Sequence, residues 1–329
     1  MKISPRLTMF RTLLLAATAV ASAQAWSQAT YPNKPVRVVV PLAPGGATDI
    51  QARLFTQKLS MSLGQTFLVD NRAGAGGLIA FNLIAHQTPP DGYTLLATSA
   101  TFTNAPALFE KPPFDPVKDF EPISLMSKAP YALIVTPTFP AKSLGEFIAW
   151  SKANPGSLNF AISGQGTIIH FAAVWFASAA GFKATLVPYK GTGPATQDVI
   201  AGQVHATFAN VISASPLLKA GKIRAIAVTT AQRSGVYPDL PAIAEAGMPD
   251  YEVTTWHGWL APKGTSRAVV NVMNTELSKV LKYPDVVKLL ADDGGIPMGG
   301  APDEFRKLIA SEIERWKKLV KDHNIKADG

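Results

Sequence analysis

Cysteine is absent from all 329 residues of the chain. This absence excludes disulfides, thiolate-ligated metal sites and a lipid anchor on an N-terminal cysteine. None of the spacings that bind zinc, such as H-E-x-x-H, occurs among the five histidines, which are His86, His170, His205, His257 and His323. We therefore expect neither a metal nor a cofactor.

Blocks of like charge are missing too. The formal net charge is +8, from 31 Lys and Arg against 23 Asp and Glu, but the cations are scattered along the chain. A nucleic-acid-binding protein concentrates its cations on one face or helix. We therefore expect no nucleic-acid partner and at most a weak general attraction for anions.

The apolar run near the N-terminus is too short to span a membrane. Residues 12–21 are small and apolar, about ten residues where a spanning helix needs roughly 20. Three cations precede this run within residues 2–11, and small-residue cleavage motifs follow within residues 23–29. This order is typical of a cleavable signal peptide. We expect residues 1–29 to be removed and the remaining protein to be periplasmic.

Strand-like and helix-like patterns alternate after this segment. Residues 36–40 (VRVVV) are continuously apolar, as in a buried parallel strand. A helix is predicted from about residue 49 to 63, with Thr48 and Gln51 as a capping box at its start. Further strands at residues 66–69 and 93–97 complete a βαβαβ pattern. The pattern predicts a parallel sheet with helices on both faces.

A second α/β unit is predicted from residue 158 to 229. Extended stretches near residues 123–135 and 252–260 separate it from its neighbours, and Pro130 is expected to interrupt the first. This arrangement predicts two lobes joined by crossing segments. Ligands of such proteins bind in the crevice at the carboxyl ends of the strands.

Four polar loops follow predicted strands and are rich in Gly, Ser and Thr. They span residues 44–49, 98–101, 163–167 and 189–194. Loops of this kind that open a helix direct unpaired backbone N–H groups and the positive end of the helix dipole at an anion. An ordinary tight turn explains any one of them equally well. Together, in both predicted lobes, they favour a cleft that binds a small anion.

Two other motifs are incomplete. The run Gly74-Ala75-Gly76-Gly77 resembles half of a dinucleotide fingerprint, but Ile79 occupies the position of the last glycine. The nucleophile motif G-x-S-x-G is absent. Ser163 and His170 could meet in space, which leaves an exported α/β hydrolase as the alternative function. A third alternative is an interaction or apolar-ligand protein in which the cleft is incidental.

At these loops the chain resembles the substrate-binding proteins of tripartite tricarboxylate transporters, the Bug-type family. Each matching segment alone is weakly specific, whereas all of them in this order are highly specific. From Tyr31 onwards the segments are YPNKPVRVVVPLAPGGATDIQAR, VDNRAGAGG, PPDGYTLLATS, FDPVKDFEPIS, VPYKGTGPA, IRAIAVTTAQRS, LPAIAEAGMP and GWLAPKGT.

The resemblance implies a two-lobed, type II-like periplasmic-binding-protein fold. Each lobe is then a mixed sheet flanked by helices, with the ligand cleft between lobes. Lobe 1 is predicted at residues 30–128 and 231–329, and lobe 2 at residues 129–230. The implied function is that of a binding protein without enzymatic activity. We expect a monomer that captures a small carboxylate, either a di- or tricarboxylate or an aromatic acid, and delivers it to membrane transporter subunits or a sensor ectodomain.

The family's cleft loops carry over by position onto a set of predicted ligand-binding residues. These are Gly45, Gly46, Thr48, Asp49, Thr98, Ser99, Thr101, Ser163, Gly166, Thr167, His170, Thr192 and Asn210.

The chain departs from the family pattern at two places. Ala209 stands where many members have an acid, which makes an amino-acid ligand less favourable because its amine would lose a partner. Ile168 and Ile169 stand where members often have serine. The two isoleucines either form an apolar wall of the cleft or pack beneath the helix.

Overall fold

Apolar runs of β-branched residues form the central strands of the fold, as their composition predicts. The computed structural model describes residues 31–108, 111–235, 237–292 and 295–323. The predicted signal peptide at residues 1–29 lies outside these ranges. The strands are β1 (Val36–Val40), β2 (Phe67–Asn71), β3 (Thr94–Ser99), β4 (Phe120–Val135), β5 (Leu158–Ile162), β6 (Ala184–Pro188), β7 (Ala206–Asn210), β8 (Arg224–Val228), β9 (Thr254–Pro262) and β10 (Ile296–Pro297).

Helices cover the sheet and begin mostly at the carboxyl ends of the strands. They are α1 (Ala47–Leu63), α2 (Leu78–His86), the short α3 (Thr101–Asn104), α4 (Leu144–Ala153), α5 (Ile168–Ala180), α6 (Thr192–Ile200), α7 (Val211–Lys219), α8 (Arg267–Val280), α9 (Pro284–Asp292) and α10 (Pro302–His323). Within the described ranges, no helix is long and apolar enough to span a membrane.

The strands form a mixed sheet of order β2-β1-β3-β9-β4-β7-β5-β6, with β8 and β10 also pairing with β4. β1 is parallel to β2 and to β3, which confirms the predicted βαβαβ beginning. β9 is antiparallel to both β3 and β4. The fold is therefore a curled α/β sheet flanked by helices, in agreement with the predicted fold class.

Strand β4 passes between the two halves of the sheet. Its residues 120–130 pair with β9, and its residues 131–135 pair with β7 and β8. The predicted interruption at Pro130 is wrong, because Pro130 pairs with Thr254 and the strand continues through it. We call the part built on β1–β3, β9, β10 and residues 120–130 the first lobe. The part built on residues 131–135 and β5–β8 is the second lobe.

Each lobe has its own apolar core. Phe55, Leu95 and Trp259 are buried together in the first lobe, and Leu133 and Phe208 are buried together in the second. The second core also takes in residues from far along the chain, namely Ile243, Met248, Tyr251, Val253, Trp316 and Leu319. The exact lobe boundaries, 128/129 and 230/231, stay a prediction.

The start of α1 differs from the predicted capping box. Gly46 is the N-cap and provides no side-chain hydrogen bond, so Thr48 lies inside the first turn. Gln51 does not reach back to the helix start, because its amide hydrogen bonds with Ser127 and His257 inside the first lobe. At the other end Gly64 stops the helix in the left-handed conformation, at φ 64°, in agreement with the predicted end at residue 63.

Candidate functional site

Four helices of eight or more residues begin at the junction of the lobes. α1 comes from the first lobe, and α5, α6 and α7 come from the second. The first turns of α1, α5 and α6, and the N-cap Asn210 of α7, line one shared space, which we call the cleft. The residues that line the cleft are Leu42, Ala43, Gly46, Ala47, Thr48, Asp49, Ser99, Thr101, Tyr131, Ser163, Ile168, Ile169, Thr192, Asn210 and His257.

The cleft wall is suited to an anion without containing a cation. The first turn of a helix leaves backbone N–H groups without helical partners, and the helix dipole places partial positive charge there. The hydroxyls of Thr48, Ser99, Thr101, Ser163 and Thr192 stand beside these turns. Among the residues that line the cleft there is no Lys or Arg. A negative ligand would therefore be held by oriented dipoles and hydroxyls.

Asp49 is the charged residue in this wall, and its carboxylate is already occupied. Its Oδ2 accepts hydrogen bonds from the Gly45 N–H (3.0 Å) and from Arg53 (3.1 Å), and its Oδ1 accepts one from Asn71 (3.0 Å). Burial opposes ionisation, but the hydrogen bonds from Arg53, Gly45 and Asn71 outweigh it and hold the pKa of Asp49 below its usual value. Asp49 therefore fixes the Gly45 loop with its negative charge compensated.

The cleft is narrow, because the lobes touch across it. Its volume is about 10 Å³, which is room for about one water molecule. The Ala43 N–H donates to the Lys190 carbonyl (2.8 Å), and the Asn104 side chain donates to the Gly166 carbonyl (3.0 Å). A ligand larger than water therefore has to separate the two lobes before it can enter.

Glycines permit this close contact of the lobes. A Cβ on Gly76 would overlap the carbonyl oxygen of Gln165 across the cleft, and one on Gly193 would overlap the carbonyl oxygen of Pro44. The glycine-rich run that resembles half a dinucleotide fingerprint thus lies against the loop after β5. Its absent side chains allow two backbones to meet.

The predicted ligand-binding residues fall into two groups. The structure brings one group together in the cleft wall, as Gly46, Thr48, Asp49, Ser99, Thr101, Ser163, Thr192 and Asn210. The other group stands outside the wall, as Gly45, Thr98, Gly166, Thr167 and His170. Thr98 lies on a separate small cavity with Gln51 and Trp259. Gly45, Gly166 and Thr167 belong to the loops that shape the wall, and His170 lies in the first turn of α5. Direct ligand contact by any of these residues stays a prediction.

Ser163 and His170 do not form a nucleophile–base pair in this structure. The Ser163 hydroxyl donates to the Thr167 hydroxyl (3.0 Å), and His170 Nδ1 accepts the Gly166 N–H (3.2 Å). Burial lowers the pKa of His170 to about 4, so its ring is neutral at pH 7. Among the described residues, no carboxylate hydrogen bonds to His170. These contacts stabilise the loop before α5.

The two departures from the family pattern have clear positions. Ile168 and Ile169 are both 2% exposed and pack in the second core, yet both also line the cleft. They thus serve as apolar wall and as packing at once. Ala209 is fully buried in a second apolar cluster of the same lobe. Next to it, Asn210 is 4% exposed and its Nδ2 has no hydrogen-bond partner among the described residues.

Sequence reasoning missed two polar side chains of the cleft, Tyr131 on β4 and His257 on β9. Each comes from a crossing strand whose pairing joins residues more than 70 positions apart. The sequence near them carries no glycine-rich loop or capping motif that would mark a site. Among the described residues, no group of three His, Asp or Glu is placed to hold a metal ion.

Solved structures resemble this fold over nearly its whole length. The periplasmic binding protein BugD is 33% identical with a TM-score of 0.87, covering 90% of this chain and 99% of its own. R. palustris Rpa4515 with adipate is 36% identical with a TM-score of 0.85, covering 90% and 99%. MatC from Rhodopseudomonas palustris with bound malate is 36% identical with a TM-score of 0.84, covering 88% and 100%.

The match to a family model is equally broad. Residues 51–325 match the model described as the tripartite tricarboxylate transporter family receptor. This range includes α1 from Gln51 onwards, the crossing strand β4 and every second-lobe helix whose N-terminal end lines the cleft. The chain therefore belongs to the tripartite tricarboxylate transporter receptor family of periplasmic solute-binding proteins.

Proposed function

We propose that this chain captures a small carboxylate, first of all an aliphatic dicarboxylate, in the cleft between its lobes. The observation that carries the proposal is the convergence of the α1, α5, α6 and α7 N-termini on one space whose lining residues include no cation. The similar structures that hold adipate and malate support the same ligand class. The buried Ala209 offers no partner for a ligand amine, so an amino acid is disfavoured.

The proposed cycle is one of capture and release without chemical turnover. The lobes separate, the carboxylate enters, and the loops at Ala43 and Gly76 close against the second lobe. We further propose that the protein acts as a monomer in the periplasm after loss of residues 1–29. It passes the ligand to membrane transporter subunits or to a sensor ectodomain.

A thermal-shift panel of dicarboxylates, tricarboxylates, aromatic acids and amino acids tests the ligand class. A ligand at 100 times its Kd stabilises the folded state by about 2.7 kcal/mol, so at least one dicarboxylate should raise Tm clearly. If no carboxylate raises Tm, the proposal is wrong.

A substitution at the α1 N-cap tests the location. Gly46→Leu puts an isobutyl group into the cleft wall, where an added Cβ already lies 3.7 Å from Thr192, so carboxylate binding should be lost. Gly145→Leu is the matched control, because nothing lies within 4 Å of a Cβ at that position. Equal binding by both variants, measured by calorimetry, would place the ligand elsewhere.

A further inference from the structure

A buried group of three polar side chains lies under the cleft and has no part in the function proposed so far. It consists of Gln51 on α1, Ser127 on β4 and His257 on β9. His257 is 3% exposed and is one of the residues that line the cleft. On β9 it pairs with Ser99 of β3 on one side and with Ser127 of β4 on the other.

The contacts among these three side chains favour one ring nitrogen of His257 as the site of the proton. Ser127 Oγ donates to Gln51 Oε1 (3.0 Å), and the Gln51 amide nitrogen faces His257 Nδ1 (3.2 Å). Ser127 Oγ also lies 3.3 Å from His257 Nδ1, but its proton is already donated to Gln51. An amide nitrogen is a donor with no acceptor capacity. With the Gln51 amide in this orientation, His257 Nδ1 is the acceptor of that contact, which puts the proton of the neutral ring on Nε2.

The neutral form of this ring is the stable one. Burial lowers the pKa of His257 to about 4, so the imidazole carries no charge near pH 7. Nδ1 is engaged by Gln51, and within the described part of the chain no residue hydrogen bonds to Nε2. His257 therefore presents one uncharged N–H donor in the wall of the cleft.

A second donor without a partner comes from the opposite lobe. Asn210 Nδ2 is buried, and the described residues offer it no acceptor. Asn210 pairs with Tyr131 on β4, four residues beyond Ser127, which pairs with His257. Four residues of strand span roughly 13 Å between backbone positions. The two donors therefore stand at separate places along the cleft, one in each lobe.

We propose that His257 is a specificity-determining residue whose Nε2–H donates to an oxygen at one end of the ligand, while Asn210 Nδ2 donates to an oxygen at the other end. Gln51 and Ser127 act as positioning residues that set the tautomer. A ligand with acceptor oxygens at both ends satisfies both donors, whereas an ammonium group has no acceptor lone pair to offer either of them. This inference rests on the proposed binding of a carboxylate in the cleft.

Calorimetric titration of matched ligands tests the role of His257. The ligands are the dicarboxylate that gives the largest thermal shift and the monocarboxylate with the same number of carbons. We expect His257→Phe to weaken dicarboxylate binding at least tenfold relative to wild type and monocarboxylate binding less than threefold. His257→Gln, whose amide can donate, should stay within about threefold for both. His205→Gln, at a histidine outside the cleft wall, is the control.

Several outcomes would overturn the inference. One is dicarboxylate binding by His257→Phe that equals wild type, and another is an equal loss for both ligands. If His257→Phe does not fold, the smaller His257→Leu takes its place. If no carboxylate binds to the wild-type protein, the proposed function itself is wrong.

A spectroscopic measurement on the wild-type protein tests the tautomer directly. In long-range ¹H–¹⁵N spectra of ¹⁵N-histidine-labelled protein, the His257 signals should show the Nε2–H form, and the dicarboxylate should shift the Nε2 resonance. The His257→Gln spectrum assigns these signals by their disappearance. A Nδ1–H form, or an Nε2 resonance that the bound dicarboxylate leaves unmoved, would contradict the proposal.

Discussion

Two histidines near the cleft are buried in neutral form, His170 on α5 and His257 on β9. Burial lowers the pKa of each to about 4, against about 6.5 in an unfolded chain. As pH falls from about 7 toward 4, these two histidines bind protons in the unfolded state but not in the folded state. The free energy of unfolding therefore decreases with falling pH in this window.

Urea unfolding at pH 7.5 and pH 5 measures this effect. Each histidine should account for about 2 kcal/mol of the loss between these two values. His170→Gln and His257→Gln should each show a smaller difference between the two pH values than wild type. His86→Gln, at an exposed histidine, should behave as wild type. A wild-type pH dependence in both buried-site variants would show that these rings do not titrate as described.

For single residues, the sequence predicted which residue types form the cleft better than it predicted which way each side chain points. Thr98 and Ser99 were both predicted to bind ligand, but adjacent strand residues point to opposite faces. Ser99 therefore reaches the cleft, and Thr98 faces the cavity behind it. His257 could not be found from the sequence, because its position depends on strand pairings with Ser99 and Ser127.

Gly76 before α2 and Gly193 in the first turn of α6 determine how closely the lobes approach each other. Gly76 has φ 61°, and an added Cβ would overlap the Gln165 carbonyl oxygen in the other lobe. Gly76→Ala should therefore hinder closure and weaken carboxylate affinity about tenfold, equal to roughly 1.4 kcal/mol. Calorimetry gives the affinity, and a thermal melt gives the stability.

Gly64→Ala is the matched control for this loop. Gly64 has nearly the same backbone, with φ 64°, but nothing lies within 4 Å of an added Cβ. Both variants carry the cost of a left-handed alanine, about 1 kcal/mol. The Gly76 variant alone should lose affinity. A similar loss in both would mean that the contact with Gln165 has no role in binding.

Helices and strands with strong local patterns were predicted close to their observed bounds. The predicted strand at 36–40 matches β1, and the predicted helix at about 49–63 closely matches α1 (Ala47–Leu63). Helix α7 was missed. Pro216 removes a backbone donor inside this nine-residue helix, so the local sequence argues against a helix that packing supports.

Where the chain crosses between the lobes, the side chain of Thr229 hydrogen bonds to two segments that are distant in sequence. Thr229 Oγ1 accepts the Tyr131 N–H (2.9 Å) and donates to the Val253 carbonyl (2.6 Å). Thr229 is fully buried. Thr229→Val keeps the shape but leaves the Tyr131 N–H without this acceptor, and it should lower the free energy of unfolding by about 1–3 kcal/mol.

Chemical denaturation measures the free energy of unfolding of Thr229→Val, and Thr185→Val is the matched control. Thr185 is exposed and its hydroxyl donates to the Gly156 carbonyl, so its loss should change stability by less than about 0.5 kcal/mol. If both variants unfold alike, the Thr229 hydrogen bonds do not stabilise the crossing.

For the whole molecule, the α/β class and the two-lobed plan followed from the alternating pattern and the family resemblance. The continuous path of β4 through both lobes did not, because Pro130 suggested a break. At that point Pro130 pairs with Thr254 of β9, and this partner lies more than 120 residues along the chain. Local propensity carries no information about such a pairing.

The lack of lysine and arginine in the cleft wall has a consequence for the environment in which the protein works. Mobile ions screen interactions between exposed charges over about 10 Å at 0.1 M ionic strength. Hydrogen bonds from enclosed N–H and hydroxyl groups act at contact distance, so mobile ions screen them very little. Carboxylate affinity should therefore change little when the osmotic and salt content of the surroundings changes, as it does outside the inner membrane.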